Sequence, residues 1–144
     1  MILVAGVDPG GSTGFAVTRD RQLIDAAVFR DVSQLGRALA DLIYYGERTP
    51  LVHIAVEDFV GGGVRSSDIN HTIKVLGFVE YYCQALGYIV HVQPPQLRKH
   101  CETEAIDLIR AWLQTPDAQR TAPLTGAIHA TAALAHALAC EEKL

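Results

Sequence analysis

Ile2-Leu3-Val4-Ala5-Gly6-Val7-Asp8-Pro9-Gly10-Gly11-Ser12-Thr13-Gly14-Phe15-Ala16-Val17 reads as strand, tight turn, strand, and the rest of the chain is arranged around it. Ile2 to Val7 is an almost unbroken apolar run, the pattern of a strand covered on both faces, and Pro9 with Gly10 and Gly11 breaks it at once. Asp8 therefore sits at the tip of a buried strand. There the sheet holds its backbone while its carboxylate projects above the strand ends, where the sites of mixed α/β folds lie. The competing explanation is an Asp-Pro-Gly turn with no further role.

Outward from this stretch, the hairpin continues through Gly14 to Thr18, turns at Arg19-Asp20-Arg21 and pairs with Leu23 to Phe29. Asp31, Val32 and Ser33 start a helix whose apolar face is Leu35, Leu39, Leu42 and Ile43, closed by Gly46 and Pro50. Leu51 to Val56 is the next buried strand and runs straight into Glu57-Asp58. Val60 to Val64 holds three successive glycines, which are costly to order, so this loop is expected to be mobile, with the expectation extending to Ser67. From Ser67 or Asp68 a long helix presents Ile69, Ile73, Leu76, Val79, Tyr82, Cys83 and Leu86 on one face, and Gly87 stops it. Tyr88 to Val92 is a strand ended by Pro94-Pro95. A helix near Glu104 to Leu113 precedes a Pro-rich connection from Pro116 to Pro123. The last helix, about Gly126 to Cys140, is rich in alanine and can pack closely against a sheet.

Neither a repeat nor a boundary interrupts the pattern, so residues 1–144 are expected to form one domain, long enough for a sizeable core. Apolar runs fall short of the ~20 residues that span a membrane, and the start lacks the pattern of a secretory leader. Cys83, Cys101 and Cys140 are odd in number and scattered, which points to free thiols in a reducing cytoplasm and not to a disulfide frame or zinc site. A net charge of −4 argues against a nucleic-acid binder that works by charge alone. It leaves open one whose acidic site is neutralised by metal ions.

The order of elements, three strands, helix, strand, helix, strand, helices, resembles the ribonuclease H-like arrangement. The fold class expected is thus α/β, a five-stranded mixed sheet in the order βββαβαβα with helices on both faces. Such a fold brings the end of the first strand, the end of the fourth and one face of the last helix to a single point. Asp8, Glu57 with Asp58, and His129 would meet there. Oxygen ligands from separate elements suit Mg²⁺ or Mn²⁺, and a pair of such ions can activate a water and stabilise the leaving oxygen of a phosphodiester. Glu57 at the end of an apolar strand is poorly explained as a solvated charge. Asp58, one residue on, points the other way along a strand and suits a supporting or solvent role equally. His129 has a surface histidine as its bland alternative, and His136 reads as structural.

Gly6-Val7-Asp8-Pro9-Gly10 with Thr13-Gly14, Val56-Glu57-Asp58-Phe59, Pro95 with Lys99, and His129 to Leu138 together resemble the RuvC-type Holliday-junction resolvases, in particular their short phage-type relatives. The first motif alone is weak, because a similar turn opens the phosphate loop of actin-like sugar kinases. A phosphotransferase of that kind needs a second domain of the same fold, for which 144 residues leave no room. The resemblance implies a crossover junction endodeoxyribonuclease acting on branched DNA, dependent on two Mg²⁺ or Mn²⁺ ions, without an organic cofactor or membrane partner, and working as a homodimer. It implies Asp8, Glu57 and His129 as catalytic metal ligands, with Asp58 a further candidate. It also implies Lys99 as a catalytic residue, matching the lysine that the family carries near the site, although Arg98 fits the register equally. Arg65, Lys74, Arg98, Lys99 and His100 are candidate phosphate contacts. Phe59 and Val60 suit the core better than a wedge into the junction.

One departure stands out. The family's last helix carries two ligands three residues apart, because those positions share a helix face. Here the second is Ala132. Either catalysis has weakened naturally or the carboxylate was replaced deliberately, and one replaced position is simpler than a drift that spared every other ligand. A non-catalytic junction-binding protein is the alternative that Ala132 keeps alive.

Overall fold

The computed structural model describes residues 2–46, 48–58, 66–116 and 127–144. A five-stranded sheet is formed by β1 (Ile2–Asp8), β2 (Thr13–Arg19), β3 (Gln22–Phe29), β4 (Leu51–Glu57) and β5 (Ile89–Gln93), in the spatial order β3-β2-β1-β4-β5. The first three strands are antiparallel neighbours, whereas β1, β4 and β5 run parallel, so the sheet is mixed. The β2–β3 turn is tighter than the sequence suggests. Arg19 pairs with Gln22, and only Asp20 and Arg21 make the turn, both at positive φ (51° and 61°), the geometry that matches strand twist in two-residue hairpins.

Alternation along the strands sorts the side chains onto two faces. Leu3, Ala5 and Val7 of β1 join Phe15, Val17, Ile54 and Val56 in a core shared with α1 (Val32–Ala40) and α2 (Ser66–Ala85). The opposite face carries small residues. Val4, Ala16, Ala26 and Ala55 pack there with α3 (Glu102–Leu113) and α4 (Ala127–Glu141). Helices therefore lie on both faces, as expected. Asp8 and Glu57 belong by alternation to the α4 side.

Glycine at two positions lets α4 come this close. A β-carbon on Gly6 would fall 1.8 Å from the carbonyl oxygen of Ala133, and one on Gly14 would fall 1.9 Å from that of His129. Because Gly14 pairs with Asp8, the same contact fixes the height of His129 above the strand tip.

Two expectations need correction. Ile43 and Ile73 are exposed, as is Leu86, because the inward line of α2 is Val75, Val79 and Cys83, and because the chain tightens after α1 into a 3-10 turn at Asp41–Tyr44. The chain after β5 is ordered earlier than expected: a 3-10 helix over Pro95–Cys101 leads directly into α3. Pro95 at its start supplies the fixed φ that such a turn needs. The glycine loop at 60–64, the connection at 117–123, Phe59 and Arg65 lie outside the described residues. The three cysteines are free and buried. Among the described residues, no helix is long and apolar enough to cross a membrane.

Candidate active site

Parallel pairing of β1 with β4 and of β4 with β5 sets three strand ends side by side, and Glu57 is the register partner of Gln93. Asp8, Glu57 and Gln93 thus rise from adjacent strands beneath α4. Asp8 and Glu57 interact directly, carboxyl to carboxyl. His129 reaches the pair from α4, its Nδ1 lying 3.5 Å from Asp8 Oδ2. Seven residues further along the same helix, two turns on, His136 is completely buried. Its Nε2 lies 3.2 Å from Glu57 Oε1, and its Nδ1 lies 2.9 Å from Gln93 Oε1. From the 3-10 helix, Arg98 brings Nη1 to 3.3 Å from that same Glu57 oxygen.

The two carboxyl groups respond to this setting in opposite directions. Burial first, then the hydrogen bond and negative charge of Glu57, push Asp8 up to about 8 against a small opposing pull from Arg98. Burial also acts to raise Glu57, but hydrogen bonds from His136 and Asp8 and the attraction of His136 and Arg98 outweigh it and hold Glu57 down at about 2. Asp8 is therefore the partner favoured to keep a proton and Glu57 the one favoured to ionise, and a buried carboxyl pair of this kind is short of positive charge.

Beside the pair opens a cleft of about 530 Å³ whose lining includes Asp8, Arg98, Glu102, Arg110, His129 and Ala132. Ala132, three residues from His129 on the same helix, thus lies with it on the cleft wall. Lys99 is exposed, and the residue of the pair that meets Glu57 is Arg98. Asp58 lies beyond the strand end, exposed, with its backbone N–H donating to the Gln93 carbonyl at 2.7 Å. Lys74 is exposed on α2, the helix of the opposite face, and His100 is exposed near the end of the 3-10 helix.

Sequence reasoning missed three residues here. His136 reads from sequence as structural, and it is fully buried; what the sequence leaves out is that it meets Glu57 and Gln93 on the helix face it shares with His129. Gln93 is detectable only once the β4–β5 register is known. Arg110, on α3, reaches the cleft through the packing of α3 beside α4, which no local pattern reveals.

The donor set of two carboxyls and one imidazole suits a hard divalent ion, and the proton held on Asp8 is the charge such an ion would replace. Among the described residues, no three His, Cys, Asp or Glu side chains already form a preformed metal cage. Glu57 is turned to Asp8, His136 and Arg98, while His129 meets Asp8, so the expected three-way convergence exists as two contacts that share Asp8.

No family model matches the chain, and no curated protein matches it significantly. Solved structures do. The chain has the ribonuclease H-like fold of the RuvC resolvases. RuvC of Thermus thermophilus in complex with Holliday junction substrate superimposes with a TM-score of 0.67 at 22% identity, covering 96% of this chain and 92% of that one. A second structure of Thermus thermophilus RuvC gives a TM-score of 0.60 at 21% identity over 95% and 92%. The Fowlpox virus resolvase, in complex with substrate Holliday junction DNA, gives 0.58 at 17% identity over 98% and 99%.

Proposed function

We propose that this protein is a metal-dependent endonuclease that cuts the phosphodiesters of branched DNA, Holliday junctions foremost, with catalysis weakened by Ala132. The observation that carries this reading is the Asp8–Glu57 pair at the tips of neighbouring parallel strands, with Asp8 and His129 lining a cleft that has Arg98 and Arg110 on its wall. Similarity in fold to two resolvases solved with junction DNA supports it. Asp8, Glu57 and His129 would hold Mg²⁺ or Mn²⁺, which would supply a Lewis acid and an activated water. The protein's own part is to fix those donors on three separate elements, to keep their far sides dry beneath α4, and to place guanidinium groups where phosphate oxygens pass. Arg98 is at once a partner of Glu57 and a phosphate contact; Lys99, exposed beside it, adds a second.

A non-catalytic junction binder is favoured by one observation, the methyl group of Ala132 on the cleft wall. The two readings separate in one experiment. A labelled four-way junction and a linear duplex of the same sequence are incubated with protein in Mg²⁺, Mn²⁺ or EDTA, and binding and nicking are read in parallel. Slow nicking of the junction that requires metal supports the nuclease. Tight junction binding with nicking at background in both metals leaves the binding protein, and equal treatment of junction and duplex ends both.

A further inference from the structure

Glu57 is gripped in an unusual way for a residue expected to face an ion. Both of its nitrogen partners, His136 Nε2 at 3.2 Å and Arg98 Nη1 at 3.3 Å, approach the same oxygen, Oε1. A carboxylate oxygen offers about two lone-pair directions; the His136 hydrogen bond takes one, and the Arg98 guanidinium, ion-paired to the same atom, lies against it from the cleft side. His136 is fully buried, and its other nitrogen is fixed by Gln93. Gln93 is itself buried, and its backbone carbonyl is held by the Asp58 N–H. The His136 ring is thus held at both nitrogens, by Gln93 on one side and Glu57 on the other.

On the nuclease reading above, we propose that His136, braced by Gln93, is a positioning residue that takes up Oε1 of Glu57, leaving a single Glu57 oxygen for metal, and that the site accordingly binds one divalent ion. A two-ion centre needs enough carboxylate oxygens to serve both positions. Here Ala132 removes one carboxylate and His136 with Arg98 removes half of another. What remains, one Glu57 oxygen, Asp8 and His129, serves one ion.

Mn²⁺ alone is the probe, titrated into the full chain and followed by calorimetry and by the spin-resonance signal of free Mn²⁺. Wild type is expected to bind one ion. His136→Leu, which fills the space without a donor, is expected to weaken that ion by about tenfold or more, as loss of an outer hydrogen-bond partner does. His136→Gln, whose amide can donate from nearly the same point, should recover affinity to within about threefold of wild type. Should His136→Leu fail to fold, Gln93→Met decides instead: it keeps the volume, removes the brace, and is expected to weaken Mn²⁺ by about threefold or more. Two ions in wild type, wild-type affinity in His136→Leu, or His136→Gln as weak as His136→Leu each overturn the proposal, as does wild-type affinity in Gln93→Met when that variant decides. A wild-type protein that binds no Mn²⁺ overturns the metal-dependent reading itself along with this one, whereas an intact ion that ignores His136 and Gln93 leaves that reading standing.

Discussion

Asp8 and Glu57 are chemically alike, yet the structure gives them opposite tasks, and the difference lies in how each is partnered by nitrogen. Glu57 has His136 at 3.2 Å and Arg98 at 3.3 Å on one oxygen; Asp8 has only His129 at 3.5 Å beside the Glu57 carboxylate. The effect on stability can be followed by pH. Between Asp8's ordinary value of 3.8 and its folded value of about 8, the folded chain keeps a proton that the unfolded chain has lost, so stability falls as pH rises through this window. Glu57 acts at the other end: below its ordinary 4.5 the unfolded chain takes up a proton that the folded chain refuses down to about 2, so stability falls with falling pH. Metal-free protein should accordingly melt highest near pH 4 to 5 and lose several degrees by pH 8. Asp8→Asn should flatten the alkaline limb, and a limb that persists in Asp8→Asn assigns the shared proton elsewhere. Ala132 makes the complementary case. A carboxylate at this position, three residues from His129 and on the cleft wall, adds the missing donor. Ala132→Asp should raise metal-dependent junction nicking by orders of magnitude, because charge stabilisation in the transition state is worth several kcal/mol, while junction affinity stays nearly unchanged. Nicking that remains at background in Mg²⁺ and Mn²⁺ would mark a chain that has left catalysis behind.

At the scale of elements, α4 is the piece that assembles the site, and two glycines set its distance from the sheet. Gly6→Ala or Gly14→Ala drives a methyl into the helix backbone at Ala133 or His129, where no side-chain rotation can relieve it. Either change should cost about 3 kcal/mol or more, toward the upper end for overpacking, measured by denaturant unfolding. Gly14→Ala should also reduce Mn²⁺ affinity in whatever fraction stays folded, since it lifts His129 from Asp8. Unchanged stability in both variants would show that α4 sits further out than this. Why the sequence announced these elements but misjudged parts of them follows from the same geometry. β1, β4 and α4 are strongly patterned because each is buried along most of its length, so Asp8, Glu57 and His129 stood out as polar interruptions. Ile43, Ile73 and Leu86 were misassigned to the core because a broad apolar stripe does not say which edge of it meets the sheet. His136 was undervalued because its partners, Glu57 and Gln93, are 79 and 43 residues away, and only the register of β4 and β5 brings them beneath it.

For the whole molecule, order of elements was enough to anticipate the topology, since a parallel β1–β4–β5 half and an antiparallel β1–β2–β3 half follow from where helices intervene between strands. Surface chemistry was not legible in that way. The helix α2 covers the sheet with one side and turns another to solvent, and there Ile73, Gly77 and Tyr81 recur every four residues along an exposed line. Tyr81 is 81% exposed, and a β-carbon on Gly77 would meet nothing within 4 Å. An aromatic and a branched aliphatic side chain flanking a glycine offer a second helix both apolar area and room for close approach. The homodimer that the sequence resemblance implies would use α2 against α2 of a second copy, a two-fold contact on the side of the sheet away from the α3–α4 cleft. Sedimentation equilibrium at micromolar protein should give a dimer for wild type, a monomer for Tyr81→Glu, and weakened association for Gly77→Glu, because a buried unpaired carboxylate at such a contact costs far more than the loss of one ring. Since neither side chain touches Asp8, Glu57 or His129, Mn²⁺ binding per chain should be unaffected in both variants, while paired nicking of opposite strands should become independent single nicks. A Tyr81→Glu chain that still sediments as a dimer would move the interface off α2.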